Sequence, residues 1–351
     1  MIYFVYNNFN QINLELFFMK ILVDAFGGDH APSEIIKGAI DALKNNPDIK
    51  IILSGKQDVI LKELENYTFD SNRLEILEAQ EIISNDEHPT SAIRDKKESS
   101  LVKGLYRLKE DPQIAAMISA GSTGAFLTGA MLIVGRLDGI DRPALAPVLP
   151  TITRGHTMLI DCGANMDSKP DYFVQFAIMG SAYMQSVFNI ESPRVGLLSV
   201  GIEDEKGNAQ TKAALELLKK APINFKGNME ARDALSGDYD VVVSDGFAGN
   251  VMLKSIEGAV NLILTALKQA VMERTLSKIG AALMKPAFKQ LKERLDYNQV
   301  GGAPFLGCKK IVIKTHGSSK ASSITAAILQ AHTMAKMDLI GKIKSGIEKL
   351  I

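Results

Sequence analysis

The chain has 351 residues, 46% apolar and 23% charged, enough to bury a sizeable core as one large α/β unit or two packed lobes. Its 40 basic residues balance 40 acidic ones, which argues against a general nucleic-acid binder. The two cysteines, Cys162 and Cys308, and the five scattered histidines make no C-x-x-C or H-E-x-x-H pattern; neither a disulfide framework nor a metal site is expected, and the expected setting is a reducing cytosol.

Residues 1–18 mix aromatics with Asn and Gln and carry no Lys or Arg, unlike a signal peptide. They are read as an N-terminal extension, with Met19 as the natural start. From Lys20 onward short apolar runs alternate with amphipathic stretches. Strands are predicted at Ile21–Asp24, Ile51–Ser54, Leu74–Leu77, Ala115–Ser119, Met158–Asp161, Val195–Val200, Val241–Ser244 and Ile311–Lys314. Helices are predicted near Ser33–Asn45, Ser99–Glu110, Gly124–Val134, Tyr172–Phe188, Ala209–Lys219, Asn250–Glu273 and Ala321–Lys336. This alternation implies parallel strands with crossover helices, hence a doubly wound, mostly parallel α/β sheet of Rossmann-like topology. A proline-bearing stretch, Arg136–Arg154, is a candidate crossing between lobes. Residues 337–351 are read as a C-terminal helix.

Polar residues and glycines gather where strands end: Asp24 to His30, Ser119 to Gly124, Asp161 to Asn165, Gly201 to Asn208, Ser244 to Asn250 and Thr315 to Ser319. Ligands of open α/β sheets bind beyond the carboxyl ends of strands, so these loops are expected to line one cleft. In Ser119-Ala-Gly121-Ser122-Thr123-Gly124, glycine lets backbone approach a ligand and helix N–H groups favour an anion; a plain turn with a Ser or Thr cap is the alternative. The loop is neither G-x-G-x-x-G nor G-x-S-x-G. His316 and Ser318 offer a second donor set, with Lys320 adding charge, although a lone histidine is often structural. Lys206 can neutralise phosphate, and the preceding Glu203-Asp204-Glu205 reads equally as a solvated turn. Asn250 can donate to a developing oxyanion or cap the helix expected to begin there. Asp24 and Asp29 look like half a metal site but more simply fix a loop. Cys162, ending a buried strand, is expected to be inert packing rather than a nucleophile.

The helical pair expected over residues 250–295 is apolar along one face. Lys278 and Lys285 flank an apolar tip that includes Ile279, Leu283 and Met284, a pattern that suits a membrane surface or a subunit interface. Arg94, Lys96, Lys97, Lys103 and Arg107 read as a basic helix face that could receive an acidic protein.

Taken together, Val23 to Pro32, Ser119 to Ala125, Leu159 to Asn165, Leu198 to Asn208, Ser244 to Asn250 and His316 to Ser319 resemble the PlsX family of bacterial phosphate acyltransferases, from Met19 to about Ala335. Position 122 is Ser where that family has Asn as readily, and position 320 is Lys where Asn is usual. The resemblance implies a fold akin to phosphotransacetylases and the isocitrate dehydrogenase-like group, with residues 19–336 as one α/β phosphate acyltransferase domain. It implies conversion of a fatty acyl carrier protein thioester and inorganic phosphate to acyl phosphate and free carrier, early in phospholipid synthesis and without a cofactor. It further implies a cytoplasmic homodimer peripherally bound to membrane, with acyl carrier protein as partner and the downstream glycerol-3-phosphate acyltransferase as a further candidate.

On this reading phosphate attacks the thioester directly, so no triad or cofactor motif is needed. Gly121, Ser122, Thr123 and Ser318 are expected to bind phosphate, and Lys206, Asn250 and His316 to be catalytic. Asn165 and Asn208 are expected to position the oxyanion or acyl group. Rival readings are a phosphotransacetylase using acyl-coenzyme A, an oxidoreductase on the same scaffold, and a membrane-surface scaffold protein.

Overall fold

The computed structural model describes residues 18–153, 155–295 and 301–350; the greater part of the expected N-terminal extension lies outside them. They form two compact units, one running to Leu137 and resuming until Ile340, the other beginning at Asp138 and taking up the chain again from Gly341. The chain thus leaves the first unit inside the proline-bearing stretch.

The first unit holds β1 (Met19–Asp24), α1 (Ser33–Asn45), β2 (Ile49–Gly55), α2 (Gln57–Leu64), β3 (Leu74–Glu78), α3 (Pro89–Asp95), α4 (Ser100–Glu110), β4 (Ile114–Ser119) and α5 (Thr123–Gly129), which continues as a π turn to Val134. Six strands of this unit lie in the order β3-β2-β1-β4-β12-β11, where β11 is Ala303–Leu306 and β12 is Ile311–Lys314. All neighbours are parallel except β11 with β12. Central strands are continuous apolar runs because helices cover both faces, so Ile21, Leu22, Ile51, Ile52, Met117 and Ile118 are fully buried. α11 (Ala321–Lys336) packs on α1 at close range, since a Cβ on Gly38 would stand 2.6 Å from the Ala321 carbonyl. The Thr325 hydroxyl also donates to Gly38 O at 2.9 Å.

The second unit contains the two-residue strand Ala144–Leu145 together with Val148–Pro150, His156–Ile160, Arg194–Ser199, Asn224–Glu230 and Val241–Val243. The last five, numbered β6 to β10 in chain order, form a sheet ordered β6-β7-β10-β8-β9 in which only β6 is antiparallel. Its helices are α6 (Pro170–Phe188), α7 (Ala209–Leu218), α8 (Gly246–Glu273), α9 (Thr275–Leu283) and α10 (Lys285–Leu295). α12 (Leu339–Glu348) presses Gly346 against Ile178. Leu149, Leu159, Met229, Val242, Met252 and Leu253 make one buried cluster beneath the start of α8.

The mostly parallel α/β class is as the sequence indicates, with two sheets in place of one. β9 escaped prediction because Asn224-Phe-Lys-Gly-Asn-Met-Glu230 has no apolar run; β8 alone fixes it through a parallel ladder.

Candidate functional site

In the first unit the loops after β1, β4 and β12 meet. Asp24, at the end of β1, is buried and accepts hydrogen bonds from Ser100 Oγ at 2.6 Å, Ser119 Oγ at 2.7 Å and the Phe26 N–H at 3.3 Å. Burial pushes its carboxyl above the usual range, against the pull of those donors. The Ser119 hydroxyl in turn accepts from Gly121 N at 3.0 Å. A Cβ on Gly27 would lie 2.6 Å from that same Gly121 nitrogen, so glycine is needed for the two loops to touch.

Ser122 caps α5, its hydroxyl oxygen accepting from Ala125 N at 3.4 Å while its proton stays available. Thr123 is exposed at the first helical position, where N–H groups have no intrahelical acceptor. Gly317 O receives the Asp29 N–H at 2.8 Å, bringing the β12 loop against the β1 loop, and the Asp29 carboxylate lies beside Gly317.

His316 is exposed, and its Nδ1 accepts from the Ser318 N–H at 3.2 Å with Ser318 Oγ at 2.8 Å. That contact places the proton of the neutral ring on Nε2, leaving an outward N–H donor. On either side the buried hydroxyls of Thr315 and Ser319 have no hydrogen-bond partner among the described residues.

Beneath them Lys314, only 7% exposed, donates from Nζ to Ala120 O at 3.2 Å and to Thr315 O, tying the β4 and β12 loops together. Burial brings its ammonium down to about 8, with Asp24 and Asp29 holding it up.

In the second unit the loops after β7 and β10 interlock. Asp161 is fully buried and accepts from Leu145 N at 2.9 Å, Ala164 N at 3.2 Å, Asn165 N at 2.7 Å and Asn165 Nδ2 at 2.9 Å. Burial raises its carboxyl to about 6 despite these donors. The Ser244 hydroxyl donates to Asp161 O at 3.1 Å, and Gly246 N to Asn165 O at 2.7 Å. α8 then starts flush on the Asp161 loop, because a Cβ on Gly249 would sit 1.9 Å from Asp161 O.

Asn250 lies in the second turn of α8 and does not cap it; Asp245 does, accepting from Ala248 N at 2.7 Å. The Asn250 side chain has no hydrogen-bond partner among the described residues, and it stands 3.6 Å from where a Gly163 Cβ would be. Gly163, at φ +111°, leaves that space open.

The family model described as "Fatty acid synthesis protein" matches residues 19–342. Phosphate acyltransferases of Clostridium perfringens SM101 and Clostridium acetobutylicum are 49% and 47% identical over 332 residues each; the alignments span 94% and 95% of this chain and 97% and 100% of theirs. The chain belongs to the fatty acid synthesis protein family, the PlsX family. It is an acyltransferase, as that membership and the names of those relatives establish. Among solved structures, a phosphotransacetylase from Streptococcus pyogenes superimposes with a TM-score of 0.60 at 18% identity, covering 91% of this chain and 94% of its own. A branched-chain phosphotransacylase from Enterococcus faecalis gives 0.56 at 13% identity, covering 90% and 99%. Both show the fold.

Several family motifs have a more structural part than their sequence suggested. Gly121 spends its N–H on Ser119, and both amide hydrogens of Asn165 are engaged, one by Asp161 and the other by Pro143 O at 2.9 Å. Asn208 caps α7, accepting from Thr211 N at 2.8 Å. Lys206 is exposed, whereas Asp204 of the acidic triplet is held by Lys219 at 2.6 Å. Cys162 is buried with its thiol pushed far up by burial, the state of an inert cysteine.

The expected basic helix face is corrected. Arg94 is on α3, Lys96 and Lys97 are in a loop, and Lys103 and Arg107 are on α4. Four of the five are paired with carboxylates: Arg94 with Asp95, Lys96 with Glu87, Lys103 with Glu98, and Arg107 with Asp111 and Glu75.

Lys314 has no part in the sequence reading beyond ending a strand, and Asp161 appears there only as the start of a polar loop. A Lys or Asp ending an apolar strand is an ordinary boundary residue until the fold buries it.

α8 is long and apolar enough to cross a membrane by length and composition alone, but one face of its first turns, with Gly246, Gly249, Met252 and Leu253, is buried in the second unit. Ile279, Leu283 and Met284 are 56%, 80% and 53% exposed on α9 and just after it.

Proposed function

We propose that the chain transfers the acyl group of a fatty acyl carrier protein thioester to inorganic phosphate, feeding phospholipid synthesis. A hydrogen phosphate oxygen attacks the thioester carbonyl carbon, the C–S bond breaks, and acyl phosphate forms while the departing thiolate of the carrier takes up the proton that hydrogen phosphate gives up. Within a family of phosphate acyltransferases, the observation that carries this reading is the loop after β12. There the unpartnered Thr315 and Ser319 hydroxyls flank a histidine with an outward Nε2–H. Phosphate in water is a poor nucleophile, and such donors fix its approach without a covalent enzyme intermediate. We assign phosphate contacts to His316 and Ser318, the Ser122 hydroxyl and the backbone N–H groups of Ser122 and Thr123, with Gly121 holding that turn in place through Ser119, and charge neutralisation to Lys206.

The Asn250 amide, free of other partners, is assigned to the oxyanion of the tetrahedral intermediate. Asn165 holds the Asp161 loop on which Asn250 rests, and Asn208 positions the acyl group from the start of α7. Incubation with acyl carrier protein thioester and labelled phosphate, trapping the product with hydroxylamine, tests the reaction; a parallel arm with acyl-coenzyme A identifies the acyl donor. Asn250→Ala is expected to slow turnover about a hundredfold with the fold retained. Near-normal turnover would remove Asn250 from the scheme.

The proposed setting is the cytoplasmic membrane surface, where a homodimer would pass acyl phosphate to a glycerol-3-phosphate acyltransferase. The exposed apolar tip between Lys278 and Lys285 supports it, since lysines beside apolar side chains suit an anionic bilayer. Leu283→Asp should abolish flotation with anionic vesicles while leaving turnover on soluble substrate intact.

A further inference from the structure

A groove of about 720 Å³ runs along α8 in the second unit. One wall is the helix stripe Phe247, Val251, Ser255 and Ala259, spaced four residues apart and therefore on one face. From Phe247 to Ala259 the helix makes about twelve steps of ~1.5 Å, so that wall is about 18 Å long. The facing wall includes Leu198, Val200 and Ala231.

The groove is polarised. Near the start of α7 its lining includes Ser199, Asn208 and Thr211. Along α8 it is apolar except for Ser255, and Phe247 and Val251 remain 63% and 52% exposed. Asn250 lies on the adjoining flank of the same helix turn, with its side chain against Gly163 rather than in the groove. A polar end and a long apolar trough match one ligand shape: a polar head on an unbranched hydrocarbon tail. The volume lies within the ~300–1,000 Å³ of small-molecule sites.

We infer that this groove holds the acyl chain of the thioester substrate, and that α8 residues from Val251 to Ala259 set the chain length accepted. The inference rests on the acyl transfer proposed above. A second copy of the chain could cover the same stripe, and the oligomeric mass tells the two occupants apart.

The test uses Ser255→Phe and Ala259→Phe, both at exposed helix positions where a larger side chain does not disturb the core. The kcat/KM values for butyryl, octanoyl and palmitoyl carrier protein are measured by hydroxylamine trapping, with the oligomeric mass of each protein recorded. Ala259→Phe should lower the palmitoyl-to-butyryl ratio about tenfold, and Ser255→Phe should also lower the octanoyl-to-butyryl ratio. Ratios unchanged in both variants, or a changed oligomeric mass with an unchanged profile, would overturn the inference.

Binding of a pyrene-labelled fatty acid, measured without turnover, separates this from failure of the reaction itself. An inactive wild-type protein whose binding weakens in Ser255→Phe keeps the groove and loses the transferase reading. An active protein with unaltered binding and ratios does the reverse.

Discussion

Asp161 concentrates the chemistry of the second unit's loops in one side chain. Four N–H groups converge on a fully buried carboxylate, so the charge is bound firmly yet held at a solvation cost. Its carboxyl is raised from 3.8 to about 6. A raised carboxyl favours the fold in its protonated state. That contribution is complete below the unfolded value near 3.8 and is lost as pH rises through about 6. The stability difference between the wild-type protein and Asp161→Asn, from urea midpoints, should therefore shift by a few kcal/mol against the wild type between these pH values and stay flat above them. A difference independent of pH would mean the group does not titrate in this window.

Asn208 shows how one residue can carry two separable functions. Its carbonyl oxygen accepts the Thr211 N–H, and its Nδ2 remains a donor at the rim of the groove. Asn208→Ala should cost about 1 kcal/mol of stability through loss of the cap. Asn208→Asp keeps an acceptor and removes the donor, so stability should hold while turnover falls if the amide contacts substrate. Equal turnover in the Asp variant would leave Asn208 as a cap only.

At the level of elements, the site depends on how closely α8 seats on the β7 loop. Glycine at 246 and 249 allows helix backbone to meet loop backbone with nothing between, and Asp245 fixes the first turn. Gly249→Ala would thrust a methyl group into Asp161 O and lift the helix start. We expect a loss of about 3 kcal/mol in urea unfolding, since overpacking typically costs ~1–3 kcal/mol and this contact is severe. Turnover should fall with it, because Asn250 moves with the helix. A protein as stable as wild type would show that the loop can yield.

Taken as a whole, each unit has its own parallel sheet and its own cluster of polar loops at strand ends. The first unit's cluster is rich in hydroxyl and N–H donors tied down from below by Lys314, which is the composition an oxyanion requires. If inorganic phosphate binds there, it must stabilise the folded chain by mass action, by about 2.7 kcal/mol at a hundredfold excess over Kd. Thermal unfolding should move upward with phosphate in the wild type and much less in the double variant His316→Ala, Ser318→Ala. An equal shift in both would place phosphate elsewhere.

The class of fold, most elements of the two sheets, and the loops that carry the polar residues followed from the sequence by itself. Apolar runs with crossover-length amphipathic stretches between them admit few other arrangements. The short strands Val148–Pro150 and Ala303–Leu306, and the polar β9, did not follow, because a neighbouring strand rather than their own composition makes them strands. Within the loops, residue type told which side chains could act, whereas only the tertiary structure decided which were still free to do so. Gly121 and Asn165 give up their hydrogens to close partners, Asn250 keeps its own, and Lys314 becomes notable through burial alone. A hydrogen bond is settled by angstroms between residues far apart in the chain, and periodicity and composition hold no record of those distances.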